Sequence, residues 1–151
     1  MQIYLVQHGK SRPKEEDPEQ SLSPEGMADV RRIAETAGNY GVPVLTVLHS
    51  GKKRAVQTAE IMAEHLKAEQ GVREGENLKP MDNVHSWADK AAGLDRVMLV
   101  GHLPFMERLA SLLVAGKPDI RVIRFQNGGI VCLEQVDGAW HIKWTLMPRI
   151  G

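Results

Sequence analysis

The chain opens on Ile3-Tyr4-Leu5-Val6-Gln7, a mostly apolar, β-favouring run that stops at His8-Gly9. An apolar run without polar alternation describes a strand covered on both faces. Polar side chains where such a strand leaves the core stand at the rim where open α/β sheets bind ligands. Lys10 to Gln20 is charged and aperiodic, with prolines at 13 and 18, so it reads as a loop. Ser23-Pro24-Glu25 then has the form of an N-cap, a first-turn proline and a first-turn acid. Met27, Val30, Ile33, Ala34 and Ala37 follow at helical spacing, and Gly38 or Gly41 closes the helix.

Val42 to Leu48 predicts a second short strand, left through His49-Ser50-Gly51. A second helix is predicted from about Lys52 to Ala68, with Ala55, Ala59, Met62 and Leu66 on one face. Gly71 to Asn83 reads as irregular and contains the turn-forming Pro80-Met81-Asp82-Asn83. A short helix is expected around Val84 to Ala92. Arg96 to Val100 is a third strand and ends in Gly101-His102; Pro104 starts a helix carrying Met106, Leu109, Leu112 and Leu113. Ile130 to Val136 and Trp140 to Leu146 flank Asp137-Gly138-Ala139, which predicts a hairpin. This alternation predicts an α/β three-layer sandwich: a mostly parallel central sheet, helices on both faces and an antiparallel edge hairpin.

Composition narrows the picture. A chain of 151 residues fits one domain spanning 1–151, and 42% apolar with 25% charged residues is ordinary for a globular protein. Nineteen Lys and Arg balance 19 Asp and Glu, so no global field points to nucleic acid or membrane. Trp87, Trp140 and Trp144 are too scattered for a base-stacking platform. No apolar stretch approaches a membrane span, and no signal-peptide pattern opens the chain. The single cysteine, Cys132, reads as a small core residue and fits a reducing, cytoplasmic compartment.

In a parallel sheet the carboxyl ends of all strands share one rim. His8-Gly9, Ser50 with Arg54, and Gly101-His102 therefore converge there. Two histidines and an arginine suit phosphoryl chemistry, because neutral imidazole is nucleophilic near pH 7 and guanidinium forks onto phosphate oxygens. Arg54 also starts a helix, where the macrodipole disfavours a cation, so an anion contact accounts for it better. Ser50 reads as a structural cap. Lys52 and Lys53 read as that helix's solvated flank, adding attraction for a phosphorylated partner. His49, His65, His85 and His141 default to surface or core roles.

Val6-Gln7-His8-Gly9, Ser50-Gly51-Lys52-Lys53-Arg54-Ala55-Val56-Gln57-Thr58-Ala59 and Val100-Gly101-His102 together resemble the histidine phosphatase superfamily. Its pattern is Arg-His-Gly after strand one, Ser-Pro-x-x-Arg-Ala-x-Gln-Thr-Ala into a helix, and a later Gly-His or Ser-His. The small size, Leu22-Ser23-Pro24-Glu25-Gly26 and His102-Leu103-Pro104 look most like the SixA-type phosphohistidine phosphatases. The resemblance implies that His8 is a transiently phosphorylated nucleophile, with Arg54 and His102 holding the phosphoryl oxygens. It implies no metal and no other cofactor, and the sequence has no His-x-x-x-His pair and no phosphate-binding glycine loop. The implied partner is a phosphohistidine-bearing protein, with a small phosphate ester as the alternative.

Two positions depart from the pattern. Gln7 replaces the arginine before the nucleophile, and Gln20-Ser21-Leu22-Ser23 stands where SixA-type proteins usually carry Arg-Pro-Leu-Thr. Each change turns a permanent cation into a neutral amide, so Gln7 is a substrate-binding candidate with donors but no charge. Losing a preorganised donor to an anionic transition state costs about 10²–10³ in rate. Two readings of the chain follow: a slowed phosphatase, or a module that binds phosphate or phosphohistidine with negligible turnover. Asp82, in Leu78-x-Pro80-x-Asp82, is a candidate general acid; its other reading is a turn-forming aspartate.

Overall fold

In the computed structural model, which describes residues 1–150, ten elements follow one another. They are β1 (Gln2–Gln7), α1 (Pro24–Asn39), β2 (Thr46–His49), α2 (Lys53–Leu66), β3 (Val72–Glu74), α3 (His85–Ala91), β4 (Val97–Gly101), α4 (Phe105–Ala115), β5 (Ile130–Val136) and β6 (Ala139–Leu146). The six strands form one sheet in the order β3-β2-β4-β1-β5-β6. Strands β3, β2, β4 and β1 pair in parallel, and β5 pairs antiparallel with both β1 and β6. The sequence-predicted three-layer α/β arrangement with an antiparallel hairpin at its edge is what the chain forms.

The opening run shows why. Ile3, Tyr4, Leu5 and Val6 are all buried, and successive side chains enter opposite cores. Tyr4 and Val6 pack with Val30, Ile33 and Ala34 of α1 and Ala55, Ala59 and Met62 of α2. Ile3 and Leu5 pack on the other face with Trp87 of α3 and Phe105, Met106 and Leu109 of α4. Full burial of each such side chain contributes about 1.5–3 kcal/mol, which anchors β1 firmly between the two helical layers. Helix α1 starts as its sequence indicates: the Ser23 side chain accepts from the Gly26 N–H and Pro24 occupies the first turn.

Two strands depart from expectation by more than a residue. β2 begins at Thr46 instead of Val42. Pro43 has no N–H to give a ladder, and Val44 N–H turns back onto the Val42 carbonyl. β3 lies inside the stretch read as irregular. Its residues Val72, Arg73 and Glu74 are half-buried or exposed, so no apolar period marks it, and it exists by pairing with β2. Cys132 is fully buried in β5, and burial raises its thiol to about 11. No helix among the described residues is long and apolar enough to cross a membrane.

Candidate active site

Strands β2, β4 and β1 are parallel neighbours, so their carboxyl ends deliver Ser50, His102 and His8 side by side. Val6 and Val100 face the α1–α2 core, and continuing the strand alternation turns His8 and His102 toward α2. Gln7 pairs in register with Gly101, and the His8 N–H donates to the Gly101 carbonyl at 2.9 Å. The two imidazoles stand 5.0 Å apart, centroid to centroid, with planes inclined at 53°.

The His8 ring is oriented by its own chain. Its Nδ1 lies 2.7 Å from the Gly9 carbonyl, which can only accept, so Nδ1 carries the proton and Nε2 the lone pair. Burial lowers the imidazole to about 4; the Gly9 carbonyl opposes that shift and the Arg54 charge adds to it. His8 is therefore neutral at pH 7, with Nε2 able to attack an electrophile. Gly9 is a requirement of packing, since a Cβ there would meet Val30 Cγ2 at 2.6 Å.

His102 is buried at 2% exposure and falls to about 3. Burial is the main cause, with His8, Arg54 and Lys52 adding to it. Its Nε2 is 2.6 Å from Ser50 Oγ, which also accepts the Lys52 N–H at 3.4 Å. His102 Nδ1 is buried without a hydrogen-bond partner. Arg54 sits half-buried in the first turn of α2, where burial lowers its pKa. Guanidinium nevertheless stays charged.

Support residues explain the spacing. Thr58 is fully buried; its hydroxyl accepts the Gly9 N–H at 2.9 Å and donates to the Arg54 carbonyl at 2.8 Å. One side chain thus ties the His8-Gly9 turn to the helical turn bearing Arg54. Gln57 Oε1 accepts the Leu22 N–H at 2.7 Å and fastens the loop before α1 to α2. Asn127 Nδ2 and the Gly128 N–H both donate to the His8 carbonyl. Gly51, at φ +90°, donates its N–H to His49 Nδ1 at 3.0 Å. A proline there would have neither that φ nor that donor.

The family model for the histidine phosphatase superfamily (branch 1) matches residues 3–84. The chain belongs to the histidine phosphatase superfamily. No curated protein matches the sequence. Among solved structures, the chain resembles a protein histidine phosphatase SixA complexed with tungstate, at TM-score 0.84 and 22% identity, covering 98% of this chain and 97% of that one. A protein from Agrobacterium tumefaciens assigned as a phosphohistidine phosphatase SixA aligns at TM-score 0.77 and 23% identity over 97% of each chain. A mycobacterial glucosyl-3-phosphoglycerate phosphatase complexed with VO3 aligns at 0.72 and 15%, covering 95% of this chain and 97% of that one.

Within this member of the superfamily, the remaining candidates divide. Gln7 stands at the end of β1 with Oε1 buried and unpartnered. Gln20 lines a cavity of about 700 Å³ together with Arg54. Asp82 lines a different cavity with Ser50, Glu74 and Glu76, and its Oδ2 accepts the Lys79 N–H at 2.8 Å, which is turn-forming geometry. Among the described residues it makes no hydrogen bond or ion pair to His8, Arg54 or His102. No group of three His, Cys, Asp or Glu side chains among those residues is arranged to hold a metal ion.

Proposed function

We propose that this chain is a single-domain, metal-independent, cytoplasmic phosphatase that works through a phosphohistidine intermediate on His8 and acts on phosphohistidine-bearing proteins. The observation that carries the reading is the His8 ring: neutral at pH 7, its Nδ1–H held by the Gly9 carbonyl, its Nε2 unencumbered beside His102. In the first step Nε2 attacks phosphorus and the bond to the leaving group breaks. The new N–P bond makes the ring cationic, and the Nδ1–H···O=C bond stabilises that charge. Water then attacks phosphorus, and the electron pair of the N–P bond returns to Nε2.

Arg54 and His102 stabilise the charge that spreads over the transferring oxygens. In this reading the Ser50 hydroxyl, which accepts the Lys52 N–H, donates its own proton to His102 Nε2. That relay leaves the proton of neutral His102 on Nδ1, the buried nitrogen without a partner. A phosphoryl oxygen is the acceptor it lacks.

Two features favour phosphohistidine as substrate. The turn-forming geometry of Asp82 supplies no dedicated acid, and an imidazole leaving group, once protonated, departs more readily than an alkoxide. The chain also matches in length the SixA structures, which are named for protein histidine or phosphohistidine phosphatases. The test is turnover of a phosphohistidine peptide and of a generic phosphate monoester by the protein and by His8→Ala. Selective dephosphorylation of the peptide, falling at least about 10³-fold in His8→Ala, is expected. Equal turnover by the variant would overturn the mechanism. Preference for the monoester would replace the substrate assignment, and phosphate binding without turnover would leave a binding module.

A further inference from the structure

The site is short of fixed charge for the anion it is proposed to handle. A phosphoryl group carries close to two negative charges. Both imidazoles are neutral, and Gln7 and Gln20 bring amides. Arg54 alone supplies a permanent guanidinium.

The start of α2 holds a second cation. Lys52, Lys53 and Arg54 are consecutive; the first turn contains no acid, and no side chain caps it. Cations at a helix N-terminus oppose the macrodipole, so such a cluster lowers helix stability unless an anion sits there. The two lysines are not equivalent. Lys53 is exposed and paired with Glu19 at 2.8 Å. Lys52 is half-buried, and among the described residues its ammonium has no acidic partner.

Lys52 also adjoins the reacting groups. Its backbone N–H reaches Ser50 Oγ, the partner of His102, and its charge helps depress the His102 imidazole. Lys52 lines the same cavity as Arg54 and Gln20; Lys53 lines it too, with its charge taken up by Glu19. The buried His102 Nδ1, which has no hydrogen-bond partner, belongs to that Ser50-linked ring.

Resting on the phosphatase reading above, we propose that Lys52 is a substrate-binding residue, its ammonium supplying to the phosphoryl oxygens the charge that Gln7 and Gln20 do not. The clamp in this chain is one guanidinium from within α2 and one ammonium from its cap, with the Gln7 amide as a neutral donor. An ammonium on a four-carbon stem is a point charge without a fork, so it lends attraction with little geometric demand. The covalent chemistry on His8 is unaltered by this assignment.

The test compares Lys52→Gln, Lys52→Arg and Lys53→Gln, each with and without Gln7→Arg. Two quantities are read: the dissociation constant for inorganic phosphate by calorimetry at fixed ionic strength, and kcat/KM on a phosphohistidine peptide. Lys52→Gln should weaken phosphate binding about tenfold, the worth of one charge-assisted hydrogen bond, while Lys52→Arg restores it. Lys53→Gln, removing a charge already balanced by Glu19, should change it less than about twofold. Gln7→Arg should recover more affinity in the Lys52→Gln background than in the native one, because the two cations serve one anion. Unchanged phosphate affinity in Lys52→Gln, equal gains from Gln7→Arg in both backgrounds, or no phosphate binding by the native protein would each overturn the proposal. Loss of phosphate affinity in Lys52→Gln with no peptide turnover by any variant would overturn the phosphatase reading and leave this one standing.

Discussion

At the residue scale, the chemistry rests on how two similar imidazoles are held differently. His8 is oriented by a carbonyl, which fixes its proton on Nδ1 whatever else is bound. His102 is oriented by a hydroxyl that itself accepts the Lys52 N–H, so its tautomer depends on the Ser50 relay. Ser50→Ala removes that dependence and leaves a buried Nε2 without a partner. An unsatisfied buried polar group costs about 1–3 kcal/mol, and the freed ring can also adopt the other tautomer. We expect kcat on a phosphohistidine peptide to fall about tenfold or more in Ser50→Ala, with a smaller change in KM. Steady-state kinetics of Ser50→Ala and Ser50→Thr check this, since threonine retains the hydroxyl. Equal kcat in the native protein and Ser50→Ala would show that the relay does not set the His102 proton.

At the element scale, the site depends on how α2 is registered against the end of β1. Thr58 makes that connection, accepting from Gly9 and donating to the carbonyl of Arg54 one turn earlier. Thr58→Val keeps the branched shape but strands the Gly9 N–H in a buried position. The expected cost is about 1–3 kcal/mol of unfolding free energy in urea titrations, with lowered peptide turnover. Thr58→Ser should recover most of both. A Val variant as stable as the native protein would refute the coupling. Such couplings set the limit of what the chain discloses when read linearly. β1, α1, β4 and the hairpin declare themselves because each carries its own apolar period or cap signal. That His8, Arg54 and His102 lie toward one rim of the sheet is legible because His8 and His102 directly follow predicted strands and Arg54 opens the helix after one. The partners of Thr58, Gln57 and Asn127 lie 49, 35 and 119 residues away, and no local pattern encodes those distances. β3 is hidden likewise: its three residues lack a period, and only the β2 edge makes them a strand. His49, read as a surface or core residue, is buried and also braces Gly51 at the turn into α2.

At the scale of the whole molecule, burying the reactive groups links stability to pH. His8 falls to about 4 and His102 to about 3, while an unfolded chain keeps both near 6.5. Between these values the unfolded state binds protons that the folded state refuses, so stability declines as pH falls below about 6.5. Further down, Asp17, Glu25 and Glu134, all held below the ordinary carboxylate value by hydrogen bonds, contribute in the same direction. The alkaline side has the opposite bookkeeping. Burial raises Cys132 to about 11 and moves Tyr4 upward, so the folded state retains protons that the unfolded state releases. Stability should therefore be greatest between about pH 6.5 and 8.5 and fall on both sides. The acid slope has an assignable origin. His8→Asn removes one of the three imidazoles, with His49 and His102, that burial lowers, so urea unfolding between pH 6.5 and 4 should show a shallower decline in that variant. Cys132→Ser should flatten the alkaline side without touching the acid one. A native protein whose unfolding free energy stays constant from pH 7 to 4.5 would mean that the imidazoles are not kept neutral by burial. The neutral, attacking form of His8 would then need another cause.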